Sequence, residues 1–126
     1  MAKHIYYFHL LAGMCMLELG NLASSLAPFN VSAVSVSLNA NAQEAGLVVT
    51  LELFFAAISS LYFGTVAYKG KSLGLFGSLI VIICYYLCSI AENIDQITII
   101  KGFSGVGCGM LIASGHSILA SSYDPN

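Results

Sequence analysis

Three ionisable side chains stand inside apolar runs of this chain, namely Glu18, Glu52 and Lys101. A lysine at a bilayer centre costs about 2.5–3.5 kcal/mol on insertion scales, and a carboxylate at membrane depth has to be paired, hydrated or protonated. Each of the three is therefore a candidate for transport or coupling. An acid that takes up and gives up a proton as its site opens to each side would couple transport to a proton gradient, because burial and a neighbouring cation act on a carboxyl group in opposite senses. Glu18 falls near the middle of the first apolar run. Glu52 falls about one third of the way into the second from its outer end, by a 1.5 Å rise per residue. Lys101 enters from the outer end of the last run, at a depth closer to Glu52 than to Glu18. The plainer alternative is an ion pair, of Lys101 with Glu52 or Glu18, that only orders the helices. Asn21 lies three residues after Glu18, within hydrogen-bonding reach along one helix face. His9 and His116 could extend a relay, but both fall near helix ends, where an interfacial histidine needs no partner.

Other chemistries find little support. Cys15, Cys84, Cys88 and Cys108 all lie in apolar runs, where thiols act as small buried hydrophobes. Cys84 and Cys88 share a helix face, yet no histidine or carboxylate stands beside them at ligand spacing, so no metal site is expected. No phosphate-binding loop, nucleophile triad or cofactor motif is present, and the chain does not read as an enzyme. The net charge of −2 and four scattered Lys or Arg residues argue against nucleic acid as a partner.

The elements that must position these residues are membrane helices. Of 126 residues, 58% are hydrophobic and 8% charged, against about 25% charged in soluble domains, and the mean hydropathy is +0.87. A spanning helix needs about 20 apolar residues. Four such lengths are expected, at about Ile5 to Ala27, Ala45 to Ala67, Ser72 to Ala91 and Gln96 to Ser121. Pro28 breaks or kinks the first. Phe29 to Leu38 is an apolar, Ser-rich extension that leads to the polar turn Asn39 to Glu44. Lys3, Lys69 and Lys71 fall on one side and no Lys or Arg falls in the opposite loops, which sets both termini in the cytoplasm. The expected location is a bacterial inner (plasma) membrane, with the lipid bilayer as the first partner. Tyr6, Tyr7, Phe8, Tyr62 and Tyr68 fit interfacial belts. Tyr85 and Tyr86 fall mid-membrane, where each hydroxyl needs a partner within the bundle.

The last run carries Gly105, Gly109, Ala113, Ser117 and Ser121, a small residue at every fourth position. Such a stripe is the usual contact surface between membrane helices. Gly102 and Gly107 lie off the stripe and thin a second face, where backbone could line a cavity.

The order of these parts resembles the amino-terminal third of a major facilitator superfamily transporter, over about His9 to Asn126. In that family a short cytoplasmic loop joins helices two and three, and Gly64-Thr65-Val66-Ala67-Tyr68-Lys69-Gly70-Lys71-Ser72 stands in its place. Gly64, Ala67, Lys69, Gly70 and Lys71 correspond to the family pattern, Tyr68 replaces its acid, and one residue is missing between Lys69 and Gly70. Lys101-Gly102-Phe103-Ser104-Gly105-Val106-Gly107-Cys108-Gly109 resembles the opening of the family's fourth helix, with Lys in place of Arg, and Ala45 to Thr50 resembles the opening of the second.

The resemblance implies an all-α membrane protein whose four transmembrane helices match the start of a twelve-helix fold with the substrate path between two halves. It implies a secondary active transporter of small solutes, which an intramembrane acid such as Glu18 would couple to protons, and the ending at Asn126 suggests a fragment whose remaining helices complete the path. Two other readings stay open. One is a complete four-helix multidrug exporter that works as a dimer through Glu18, and the other is a non-transporting membrane subunit that packs through the Gly105 to Ser121 stripe.

Overall fold

The computed structural model describes the backbone of residues 2–66 and 70–123, and the side chains of residues 7–66 and 71–122. Five helices make up the described chain: α1 (Ala2–Ser25), α2 (Ala27–Ser37), α3 (Ala42–Val66), α4 (Gly70–Ser89) and α5 (Ile94–Tyr123). The α3, α4 and α5 segments are long and apolar enough to cross a membrane, and α1 with α2 makes a fourth if the bent pair counts as one span.

The first expected crossing is corrected at its C-terminal end. Helix α1 stops at Ser25, and the stretch expected as an extension forms α2, which is bent from α1 by 49°. Pro28, in the first turn of α2, explains the break, since it has no N–H to offer the preceding turn and its ring clashes with the carbonyl four residues back. Asn39 then adopts a left-handed φ of 50° and reverses the chain, a conformation that asparagine tolerates better than most residues. Asn41 and Glu44 close the start of α3 reciprocally. The Glu44 N–H donates to Asn41 Oδ1 at 2.8 Å and the Asn41 N–H donates to Glu44 Oε2 at 3.1 Å, as in a capping box.

Helix α5 is the axis of the bundle. In its best apolar window 61% of residues are buried, against 28% in α3 and 17% in α4, and α1, α3 and α4 all pack on it. The contact points give the directions. Gly13 and Gly20 of α1 meet α5 at Gly115 and at Cys108 to Ile112, so α1 runs against α5. Gly105 and Gly109 meet α3 near Glu52 and near Ala56 to Ser60, so α3 runs with α5. Gly74 and Gly77 of α4 meet Ser114 and Gly107 to Leu111, so α4 also runs against α5. His9 and Lys71 accordingly meet at one end of the bundle, with Lys71 Nζ 2.8 Å from His9 Nε2. Val34, Ala45, Val48 and Ile97 form an apolar cluster at the other end.

The distribution of side-chain size follows the membrane pattern. The core holds small residues such as Ala23, Ala56, Ser104, Cys108 and Ser114, while Phe8, Phe29, Leu61, Phe76, Ile82 and Tyr86 lie on the outside. Membrane helices associate through close backbone approach between small residues. Large apolar side chains exposed to this extent on a water-soluble monomer would be an association surface.

Candidate functional site

Lys101 and Ser104 are three residues apart on α5 and therefore share a face. Gly105, next along the helix, brings α3 onto that face so closely that a Cβ there would collide with the Glu52 carbonyl oxygen. The missing side chain thus places Glu52 opposite Lys101. Lys101 Nζ donates to Glu52 Oε1 at 3.3 Å and to Oε2 at 3.2 Å, and Ser104 Oγ donates to Oε1 at 3.0 Å. Exposure is 0% at Glu52 and 5% at Lys101. The Tyr85 ring of α4 covers the ammonium, with its centroid 4.2 Å from Nζ. A further bond between α3 and α5 runs from Ser59 Oγ to the Val106 carbonyl at 3.0 Å.

A buried carboxylate with a cation and a hydroxyl around it is satisfied, and removing one partner of such a pair costs about 3–5 kcal/mol. The cluster is therefore able to brace α3, α4 and α5 together. It is also the place where an internal charge could be exchanged if Tyr85 moved aside.

The pairing considered between Lys101 and Glu18 does not form. Gly20 packs at Cys108 to Ile112, which leaves Glu18 roughly ten residues, or about 15 Å of helix axis, away from Lys101. Glu18 is exposed on the outside of the bundle and carries no hydrogen bond or ion pair among the described residues. Asn21 does not bond to it either. The Asn21 side-chain amide donates to the Leu17 carbonyl at 2.9 Å, which ties it to the backbone of its own helix.

The glycine stripe divides its work between neighbours. Gly105 and Gly109 face α3, where a Cβ on Gly109 would collide with Ser59 Oγ, and Ala113 is buried further along. The second glycine face does not line an open cavity. A Cβ on Gly102 would lie 3.4 Å from the Phe55 ring, and one on Gly107 would lie 2.9 Å from the Gly77 carbonyl. Among the cysteines, Cys84 and Cys108 are buried as expected, whereas Cys15 is exposed on α1.

In the loop motif, Gly64 is exposed with open space around its Cα. Gly70 opens α4, Lys71 reaches His9 of α1, and Lys69 lies outside the described residues. The contact between Lys71 and His9 carried no sequence signal, and neither did the seat of Tyr85 on Lys101.

Grooves also run between the helices, and of two such grooves only the second includes a residue that touches the cluster, Tyr85. One, of about 470 Å³, lies between α3 and α5 towards their C-terminal ends and is lined by Ser60, Gly64, Ala113, His116 and Ser117 among others. The other, of about 170 Å³, lies between α1, α4 and α5, with Leu19, Leu22, Ser78, Ile82, Tyr85 and Cys108 in its walls. No family model, curated protein or solved structure matches the chain.

Proposed function

We propose that the chain is the amino-terminal four-crossing part of a secondary active transporter of small solutes, of the kind that the major facilitator superfamily represents, and that transport is coupled to protons. The observation that carries this reading is the contrast between two intramembrane acids. Glu52 is closed inside the bundle by Lys101 and Ser104, whereas Glu18, in the middle of an apolar helix, faces outwards. An intramembrane carboxylate normally faces a bundle interior or a water-filled cavity. The outer face of α1 is therefore the wall of a path that further helices, or a second copy, complete. In this reading Glu18 carries the coupling proton, and the pair of Lys101 and Glu52 joins α5 to α3 behind that wall.

The lysines support an orientation with the meeting point of His9 and Lys71 in the cytoplasm of a bacterial inner membrane. The dimeric exporter also places Glu18 on a shared path. A packing subunit gives no reason for an unpaired acid there.

Proteoliposomes with a pH-sensitive dye trapped inside test the reading against a panel of sugars, amino acids, organic anions and cationic drugs. At least one solute should move protons across the membrane, and Glu18→Gln should abolish that movement while the protein stays folded. Proton movement that survives the substitution, or a panel without any response, contradicts the proposal.

A further inference from the structure

Tyr85 belongs to two places at once. Its ring covers the Lys101 ammonium, and its outer side, 38% exposed, forms one wall of the groove between α1 and α4. The other walls are apolar at Leu19, Leu22, Val81, Ile82 and Leu111, with a single hydroxyl at Ser78. A cation behind an aromatic shutter at the end of an apolar groove is complementary to a small anion with an apolar body. A sugar would leave its hydroxyls unmet there.

We propose that this groove is a binding subsite for a small monocarboxylate, that Tyr85 is its shutter and Lys101 its cationic floor, and that the ligand binds together with one proton. The inference rests on the transporter reading and assigns it a substrate class. The proton follows from charge balance. Two carboxylates and one ammonium in a site of low dielectric leave an uncompensated negative charge, and one of two carboxyl groups that share a site is held protonated. When Tyr85 swings out, the ligand carboxylate takes the place of Glu52 on Lys101, and Glu52 takes up one proton, whose source is the buffering acid of the solvent. The sum of charges stays at zero, no covalent bond of the ligand changes, and the hydroxyl of Ser104 can accept from the new acid. The titratable groups within electrostatic range of Glu52 are Lys101 and Cys108 on α5 with Cys84, Tyr85 and Cys88 on α4. Of these Lys101 alone bonds to the Glu52 carboxylate directly.

Benzoate serves as the probe, titrated calorimetrically into the purified protein in two buffers of different ionisation enthalpy. Saturable binding with uptake of about one proton per benzoate is expected, because only a neutral Glu52 leaves the site without net charge. Infrared difference spectra should gain the C=O band of a protonated carboxyl group on binding, and Glu18→Gln should keep both signals. Tyr85→Ala should bind benzoate about fivefold more tightly, since the shutter no longer competes for the ammonium.

No saturable binding, binding without proton uptake, loss of the band in Glu18→Gln, or an unchanged affinity in Tyr85→Ala each overturns the proposal. A groove already filled by a lipid chain or a neighbouring helix would give the first of these results. Solute-driven proton movement that depends on Glu18 and persists alongside any of them would leave the transporter reading standing and remove this subsite alone.

Discussion

Lys101 Nζ stands 3.2 Å from Glu52 Oε2 across the contact between α5 and α3, and neither side chain is more than 7% exposed. Glu52→Gln removes the charge that compensates Lys101 and should cost about 3–5 kcal/mol of stability. Combining it with Lys101→Met should recover much of that loss. Unfolding curves for the two single variants and the double variant in detergent check this, and additive losses would show that the pair is not coupled.

Ser104 donates one hydrogen bond to the buried carboxylate at 3.0 Å. Hydrogen bonds to charged groups are worth about 1.5–3 kcal/mol, so Ser104→Ala should lower stability by that order. In the background of the double variant above, the same change should cost far less. An equal loss in both backgrounds would mean that Ser104 acts through packing.

The glycines of the bundle should separate into two classes. A Cβ on Gly109 would run into Ser59 and the Ala56 carbonyl, whereas a Cβ on Gly46 meets nothing within 4 Å. Gly109→Ala should destabilise by about 1–3 kcal/mol, the usual cost of overpacking, and Gly109→Leu by more. Gly46→Ala should be neutral or stabilising by up to about 1 kcal/mol through helix propensity. Melting temperatures that rank the two the other way would show that α3 and α5 do not pack through this stripe.

Much of the architecture was legible along the chain because a bilayer imposes one strong length rule, and Pro28, Lys71 and Glu92 punctuate the apolar runs near the observed helix ends. The stretch after Pro28 stands apart in the sequence as an extension but does not read as a helix of its own, Ala27–Ser37, because its apolar and serine residues show no preferred face. The site was half legible. Depth along each helix follows from residue count, which brought Lys101 nearer to Glu52 than to Glu18. Which helices are neighbours, and how each is rotated, depends on where Gly105 allows α3 to approach, and counting residues does not supply that. For the same reason the seat of Tyr85 on Lys101 and the exposed position of Cys15 became visible only once α4 and α1 were placed.

His9 and Lys71 meet at one end of the bundle, which makes the starts of α1 and α4 neighbours. In a background without native cysteines, cysteines placed at these two positions should form a disulfide on mild oxidation. Single cysteines at Asn41 and Asn93 should be labelled from outside sealed cells and one at Gly70 should not. Labelling at Gly70 would reverse the orientation, and failure to cross-link would break the pairing of α1 with α4.

The coupling role of Glu18 is tested most directly by comparing uphill accumulation with counterflow in the same proteoliposomes, for a solute that moves protons. In Glu18→Gln, accumulation driven by the proton gradient should disappear while exchange of solute across the membrane continues. Uphill accumulation at the unmodified rate by a folded Glu18→Gln protein would contradict it.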